Sequence, residues 1–158
     1  MIKILFICHG NICRSPMCEF VMKHLVSQAG LSDQIFIASA ATSTEEIGND
    51  IHYGTRRKLQ QMKIPFSPRR AVQMTRSDYE KYDYLIGMDT WNIRNMLRIC
   101  GGDPKGKINK LLAFAGKSGD IADPWYTGNF DETYRDVMEG CTALLNKLCE
   151  DGLVFQRR

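Results

Sequence analysis

The stretch IKILFICHGNICRSP, residues 2–16, decides the fold of this 158-residue chain. Residues 2–7 form an apolar run interrupted only by Lys3, which is typical of a strand covered on both faces. At the other end of the stretch, Ser15 can cap a helix and Pro16 fits the first turn of that helix. The stretch therefore predicts a strand, a tight loop and a helix in direct succession.

The same order of strand and helix repeats along the chain. Apolar strands are predicted at residues 35–38 and 84–88, and residues 108–114 form a fourth apolar segment, either a strand or a short helix. Helices are predicted from Ser15 to about Gly30, over 51–62 after Asp50, from Asp89 to near Cys100, and over 132–151 after Asp131. Trp91, Met96 and an apolar stripe along the last helix are expected in the core. This alternation predicts the α/β class, with a parallel sheet between two layers of helices.

Bulk properties narrow the class of protein further. The length suits one domain over residues 1–158, and 21 basic against 18 acidic residues give a net charge of +3, too small for nucleic acid to be the main partner. No apolar run is long enough for a signal peptide or a membrane span, so a cytoplasmic location is expected. There the six cysteines should be reduced, and their spacing does not match a zinc finger.

The loop after the first strand brings together the groups that a phosphate ester requires. Cys8 ends the strand, Arg14 follows six positions later, and a helix N-terminus supplies backbone amides and the positive end of its dipole. Gly10 and Asn11 both tolerate left-handed backbone angles. Such surroundings favour a thiolate at Cys8, which could attack phosphorus while the planar fork of Arg14 binds two phosphate oxygens.

A second motif, Asp123-Pro124-Trp125-Tyr126, lies late in the chain. A carboxylic acid placed above the phosphate could protonate the leaving oxygen and then act as a base toward water. Trp125 and Tyr126 could form the walls of a slot for a phenyl leaving group. Taken alone, the motif favours an ordinary turn followed by two core aromatic residues.

Two other interpretations of the cysteine loop remain open at this stage. Cys8 could be a buried structural cysteine, since C-x5-R also occurs by chance. Cys8, His9 and Cys13 could instead bind zinc or copper, although no second pair of ligands stands out and Arg14 would lie beside the metal. We therefore expect no metal and no cofactor.

Together, the two motifs resemble those of the low-molecular-weight protein tyrosine phosphatases, over essentially the whole chain. The family pattern of C-x5-R-S-P after an N-terminal strand is matched by residues 8–16, and its late Asp-Pro-aromatic loop by residues 123–126. The resemblance implies a single-domain three-layer α/β/α fold with a twisted four-stranded parallel sheet. It also implies hydrolysis of phosphotyrosine monoesters through a phosphocysteine on Cys8, with Arg14 binding phosphate and Asp123 as general acid and base.

The resemblance assigns further roles around the loop. Asn11, Ser15 and Ser39 are expected to support it, and Cys13 to form a reversible disulfide with Cys8 under peroxide. The phosphate cradle would consist of His9, Gly10, Asn11, Ile12, Cys13 and Arg14, and the substrate slot would be lined by His9, Ile12, Trp125 and Tyr126.

Two positions depart from the family pattern. Arg69 aligns where the family often has a histidine of the supporting network, and an arginine cannot accept a hydrogen bond. Glu45 and Glu46 lie where an aromatic residue often lines the slot, so an acidic peptide should bind less well on that side.

Several functions remain in competition on the sequence alone. The expected partner is a phosphotyrosine-containing protein or a small phosphomonoester, and a monomer or a weak dimer is expected. Phosphoarginine is an alternative substrate within the class, because a small change near Ile12 can alter the slot. An arsenate reductase would need relay cysteines, but no cysteine follows the third strand before Cys100. A non-catalytic phosphate-binding or redox-sensing module would not need Cys8, Arg14 and Asp123 together.

Overall fold

A computed structural model describes residues 1–155 and contains one four-stranded, fully parallel sheet. The strands are β1 (Ile2–Cys8), β2 (Ile35–Ala41), β3 (Tyr84–Gly87) and β4 (Ile108–Lys110), in the spatial order β2-β1-β3-β4. The predicted strands are confirmed, with β2 three residues longer than expected. The ambiguous fourth segment contains both alternatives, because β4 leads directly into a 3₁₀ helix at Leu111–Ala115.

The helices are α1 (Arg14–Gln28), α2 (Tyr53–Gln61), α3 (Asp78–Lys81), α4 (Thr90–Cys100), α5 (Pro124–Thr127) and α6 (Phe130–Glu150). Helices α1, α2 and α6 pack on one face of the sheet, and α3 and α4 on the other. None of the helices within residues 1–155 is both long and apolar enough to cross a bilayer.

Strand β1 lies at the centre of the sheet and divides the core into two. Ile4, Phe6 and Cys8 point into the cluster beneath α1 and α6, whereas Leu5 and Ile7 point into the cluster beneath α4. This period-2 alternation with apolar residues on both faces is what a central parallel strand requires. The predicted three-layer α/β/α arrangement is therefore confirmed.

The long C-terminal helix α6 completes the first core with an apolar stripe. Cys141, Leu144 and Leu148 are fully buried against α1 and the sheet, as the helical spacing predicts. Cys18 is also fully buried in that core, and its burial raises the pKa of the thiol well above the ordinary value. These cysteines pack as small apolar side chains.

Three predicted helix caps are wrong, because each side chain has a different partner. Ser15 lies inside α1, and its hydroxyl contacts Cys8 Sγ, while Cys13 occupies the N-cap position without a side-chain bond. His52, rather than Asp50, caps α2 through its ring nitrogen. Asn129 caps α6 in place of Asp131, whose carboxylate instead pairs with a lysine of α2.

Helix α4 starts as predicted but exposes an unexpected aromatic side chain. Asp89 caps it in a reciprocal capping box with Asn92, and Gly101 ends it in a left-handed conformation. Met96 is fully buried as expected, but Trp91 is 69 % exposed and lies outside the core. The helix turns its apolar face to the sheet through Met96 and Cys100, which leaves position 91 on the solvent side.

Candidate active site

Cys8 lies at the carboxyl end of the central strand, where a loop turns directly into α1. Asn11 adopts a left-handed φ of 60° in this turn, as predicted, whereas Gly10 does not have a positive φ. The Asn11 amide donates to Cys8 Sγ at 3.3 Å. The amides of Gly10, Ile12, Cys13 and Arg14 donate to no backbone carbonyl in residues 1–155. The loop thus presents unused N–H donors around a buried thiol at a helix N-terminus, a favourable environment for an anion.

A network of hydrogen bonds among buried polar side chains supports the Cys8 thiol. Asn11 Nδ2 donates to Ser15 Oγ at 2.8 Å and to Ser39 Oγ at 2.9 Å, and the Ser39 hydroxyl donates to Glu19 at 2.6 Å. Because Ser15 Oγ accepts from Asn11, its own hydrogen is available for Cys8 Sγ, which lies 3.0 Å away. The network therefore aims a hydroxyl donor at the sulfur, which would stabilise a thiolate.

The carbonyl oxygen of the Asn11 side chain contacts Arg69, the residue that stands where the family often has a histidine. Asn11 Oδ1 accepts from the Val72 amide at 3.2 Å and also from the Arg69 guanidinium. The Val72 amide fixes the orientation of the Asn11 side chain, because only an oxygen can accept there. Arg69 thus joins the network as a donor, and the network remains complete without a histidine.

The Arg14 guanidinium is buried beside the loop and is held by three groups. Nη1 donates to Asp89 Oδ2 at 2.7 Å and to the Ile121 carbonyl at 2.9 Å, while Nη2 reaches Asp123 Oδ2 only at 3.4 Å. Burial alone would lower the pKa of Arg14, but Cys8 and the two carboxylates raise it above its ordinary value. The side chain is therefore a fixed, permanent cation.

The Nε atom of Arg14 is buried and has no hydrogen-bond partner within residues 1–155. A buried, unpaired N–H on a cation costs free energy on the order of 1–3 kcal/mol or more. Nη1 is saturated, so the free donors are Nε–H and the weakly engaged Nη2, which form one edge of the planar fork. That edge is the one that can bind two oxygens of a tetrahedral oxyanion.

Asp123 approaches the site from the opposite side, at the start of the short helix α5. Its Oδ1 accepts from the Trp125 amide at 3.1 Å, so the backbone turn itself holds the carboxyl above the loop. Trp125 and Tyr126 follow and are 57 % and 84 % exposed, respectively. They are walls at the surface and not core residues, in agreement with the slot interpretation.

These elements enclose a small cavity with the Cys8 thiol at its base. Its water-accessible volume is about 100 Å³. Every residue that was predicted for the slot lines it, together with the cysteine loop and two glutamates; the lining comprises Cys8, His9, Gly10, Ile12, Cys13, Arg14, Glu45, Glu46, Asp123, Trp125 and Tyr126. The fold thus brings together two motifs that are more than 100 residues apart in the sequence.

The rim of the cavity is acidic on one side. Glu45 and Glu46 both face the slot, and Glu45 Oε2 lies 3.0 Å from His9 Nε2. Both partners of this pair are exposed, so solvent screens the interaction strongly. The contact orients the His9 ring across the mouth of the cavity.

Cys13 lines the same cavity as Cys8 and is likewise buried. It packs with Ile12 and Ala71 under the Phe130 ring. Burial, together with the charges of Cys8 and Asp123, raises the pKa of Cys13 to about 12. Cys13 is therefore a thiol near neutral pH.

Sequence reasoning missed two acidic residues of the site. Asp89 was assigned only as a helix cap, yet its second oxygen holds Arg14; its position at the end of β3, adjacent to β1, was the available signal. Glu19 is reached through Ser39 and is also paired with Lys23 at 2.6 Å. No local pattern in the sequence distinguishes Glu19 from an ordinary surface helix residue.

No group of three or more His, Cys, Asp or Glu side chains in the described chain is arranged to hold a metal ion. The Cys8, His9 and Cys13 side chains, which the metal hypothesis joined, have different partners: Ser15, Glu45 and the core around Phe130.

Comparison with known proteins places nearly the whole chain in one family. The family model for low molecular weight phosphotyrosine protein phosphatases matches residues 3–154. The chain is 39 % identical over 147 residues to the low molecular weight protein-tyrosine-phosphatase YfkJ of Bacillus subtilis, covering 92 % of this chain and 94 % of that protein.

Solved structures agree with the sequence match. The crystal structure of YfkJ superposes with a TM-score of 0.92 at 37 % identity, over 96 % of each chain. The low molecular weight protein tyrosine phosphatase of Streptococcus pyogenes gives 0.85 at 42 % identity, over 94 % of this chain and 93 % of that one. The Drosophila arginine phosphatase DARP also gives 0.85, at 27 % identity, over 92 % and 97 %.

Proposed function

The chain belongs to the low molecular weight phosphotyrosine protein phosphatase family, and on that premise we propose that it hydrolyses phosphotyrosine in proteins through a phosphocysteine on Cys8. The family consists of cysteine-dependent phosphoric monoester hydrolases, so the reaction class follows from membership. The intermediate, the roles of the residues and the substrate are the proposal.

In the first step, the Cys8 thiolate attacks phosphorus in line with the leaving oxygen. The S–P bond forms as the bond from phosphorus to the phenolic oxygen breaks, and the Asp123 carboxylic acid gives its proton to that oxygen. The amides of the loop and the free edge of Arg14 hold the three equatorial oxygens of the phosphoryl group. Tyrosine leaves as a neutral phenol.

In the second step, Asp123 acts in the opposite direction. Its carboxylate takes a proton from a water molecule, whose oxygen attacks phosphorus, and the S–P bond breaks. Inorganic phosphate leaves and the Cys8 thiolate is restored. The hydroxyl of Ser15, 3.0 Å from the sulfur, stabilises the thiolate as the leaving group of this step.

The observation that carries the proposal is the unpaired Nε of the buried Arg14 directly beside the Cys8 thiol. A structural arginine would be saturated by the protein's own acceptors, as Nη1 is here. An unpaired donor beside the thiol supports a ligand with at least two acceptor oxygens, which a phosphate monoester provides.

The slot favours a phenyl ester over a phosphorylated guanidine. Ile12 is nearly buried on one side, and the exposed rings of Trp125 and Tyr126 stand at the mouth, so the walls offer an aromatic ring an apolar contact. DARP shows that a protein named an arginine phosphatase shares this fold. Phosphoarginine therefore remains the second candidate substrate, and direct comparison of the two tests it.

An arsenate reductase mechanism has little support in this structure. It needs additional cysteines that relay the disulfide away from the nucleophile, and Cys100 is the first cysteine after β3. Cys100 is buried at the far end of α4, in the core on the opposite face of the sheet from Cys8. Cys100 therefore cannot reach the site without unfolding the core.

The experiment compares hydrolysis of matched phosphotyrosine, phosphoserine and phosphoarginine peptides by the wild type and Cys8→Ser. We expect the wild type to prefer phosphotyrosine and Cys8→Ser to hydrolyse none of them. A wild-type preference for phosphoarginine would keep the mechanism and change the substrate. Hydrolysis by Cys8→Ser at the wild-type rate would refute the proposal.

A further inference from the structure

A second and larger cavity opens beside the active site, on the side of helix α4. Its water-accessible volume is about 510 Å³, and it shares His9, Arg14, Asp123 and Tyr126 with the catalytic cavity. The remaining lining residues come from the start of α4; they are Asp89, Trp91, Asn92 and Asn95. Because the two cavities share these walls, a residue that neighbours a phosphotyrosine in the slot lies within reach of this groove.

Trp91 forms the outer wall of the groove. It is 69 % exposed, and it lies two residues after Asp89, whose carboxylate holds both Arg14 and the first turn of α4. Its exposed indole therefore offers a substrate an aromatic surface at the wall of this cavity. Because Asp89 links α4 to Arg14, the position of Trp91 is fixed relative to the phosphate site.

The charge of the two joined cavities favours a cation. With Asp123 in its acid form, their walls carry three carboxylates, those of Glu45, Glu46 and Asp89, against the guanidinium of Arg14 and that of Arg94, which lies over Trp91. A phosphate in the cradle adds negative charge beside Arg14, so the mouth becomes more negative when substrate binds. The Arg94 guanidinium lies over the Trp91 ring, its carbon 5.6 Å from the centroid, so one face of the indole already has a cation–π contact and a substrate cation would need the other face.

We infer that this groove is a subsite for a lysine or arginine that neighbours the phosphotyrosine in the substrate, with Trp91 as a specificity-determining residue. The inference rests on the proposed function, and it specifies that the preferred substrates are phosphotyrosine peptides with a neighbouring basic residue. A basic side chain there would lie against the Trp91 and Tyr126 rings and approach the Asp89 and Asn95 oxygens at the groove floor.

The test uses phosphotyrosine peptides in which the residue before or after the phosphotyrosine is arginine, alanine or glutamate. For the wild type, we expect arginine on at least one side to raise kcat/KM about two- to fivefold over alanine, the range for an exposed cation–π contact. Glutamate should lower it. The arginine advantage should shrink at high salt, because screening weakens the attraction.

Variants of α4 test whether the preference for arginine peptides comes from the groove. Trp91→Ala should remove the arginine advantage, measured as the ratio of kcat/KM for the arginine and alanine peptides, and Trp91→Phe should keep part of it. Leu97→Ala, an exposed position on the same helix outside the groove, should keep all of it.

Four results would contradict this account. Equal kcat/KM for arginine and alanine peptides on both sides would overturn the inference and leave the proposed function intact. An arginine advantage that survives in Trp91→Ala would place the subsite elsewhere, and a Trp91-dependent dimer would show that the groove serves a second copy of the chain. Absence of hydrolysis of every peptide would overturn the proposed function as well.

Discussion

Arg14 Nη1 lies 2.7 Å from Asp89 Oδ2, while the other oxygen of Asp89 accepts the Asn92 amide at 2.8 Å. One carboxylate therefore fixes both the arginine of the phosphate cradle and the N-terminus of α4. The same helix start places Trp91 at the mouth of the neighbouring groove. The geometry of the cradle and that of the groove are coupled through this single side chain.

Asp89→Asn should separate these two functions of Asp89. Asparagine caps a helix as well as aspartate does, so the start of α4 should be kept, and any loss of thermal stability should come from the weaker bond to Arg14. The charge-assisted bond to Arg14 is worth about 1.5–3 kcal/mol, so kcat/KM should fall about 10- to 100-fold. Inhibition by inorganic phosphate should weaken in parallel, which assay of both constants would show. Unchanged phosphate inhibition would mean that Asp89 does not position Arg14.

Asp123→Asn should test the general acid while preserving the start of α5. The amide keeps the capping acceptor for the Trp125 backbone but cannot donate the carboxyl proton to a leaving group. We expect kcat to fall about 10²- to 10⁴-fold for phosphotyrosine. The loss should be much smaller for aryl phosphates with acidic phenols, because these leave without a proton. A uniform loss across a series of leaving groups would contradict the role of Asp123 as an acid.

Cys13→Ser should expose Cys8 to irreversible oxidation. Peroxide converts the Cys8 thiolate to a sulfenic acid, and the Cys13 sulfur can then displace water to form a disulfide. Wild-type activity should return with thiol after peroxide treatment, whereas Cys13→Ser should recover less. Cys149→Ser, a half-buried cysteine on α6, is the matched control and should recover like the wild type.

The pH dependence of this disulfide follows from the raised pKa of Cys13. Since that pKa is about 12, the thiolate fraction of Cys13 is small at neutral pH and grows about tenfold per pH unit. Disulfide formation, followed by mass spectrometry after a fixed peroxide pulse, should therefore accelerate from pH 6 to pH 9. A rate that levels off near pH 7 would contradict the buried-thiol account.

Gly54→Ala should destabilise the fold although Gly54 lies within α2. An added Cβ would overlap the Phe130 ring, which packs over Ile12 and Cys13. Overpacking costs about 1–3 kcal/mol, more than the roughly 0.5–1 kcal/mol that alanine gains in a helix. Denaturant unfolding should show the loss, and Gly119→Ala, where a Cβ meets nothing, should show almost none.

Much of this architecture was accessible from the sequence because local chemistry determines it. The apolar run before Cys8, the left-handed Asn11 and the Asp89 cap all follow from short-range patterns that the structure confirms. The caps at Ser15, Asp50 and Asp131 failed because a tertiary partner competed for each side chain. Local capping rules do not include such partners.

The site shows the same division between local and tertiary information. Cys8, Arg14 and Asp123 stand in recognisable motifs and converge on one cavity. The donor role of Arg69 and the exposure of Trp91 depend on which neighbours the fold supplies; the sequence left the place of Arg69 in the network open and wrongly predicted Trp91 in the core. The catalytic roles of the motif residues, the Cys8–Cys13 disulfide and the absence of a cofactor remain predictions.

The most direct test of the central claim is the mass of the Cys8-containing peptide after acid quenching during turnover of an aryl phosphate with an acidic phenol. Asp123→Asn is the best form of the enzyme for this measurement, because such a phenol leaves without a proton while hydrolysis of the intermediate still lacks its base. The account predicts a peptide heavier by one phosphoryl group, with the modification on Cys8. An unmodified Cys8 throughout turnover, in an enzyme that still releases phosphate, would contradict it.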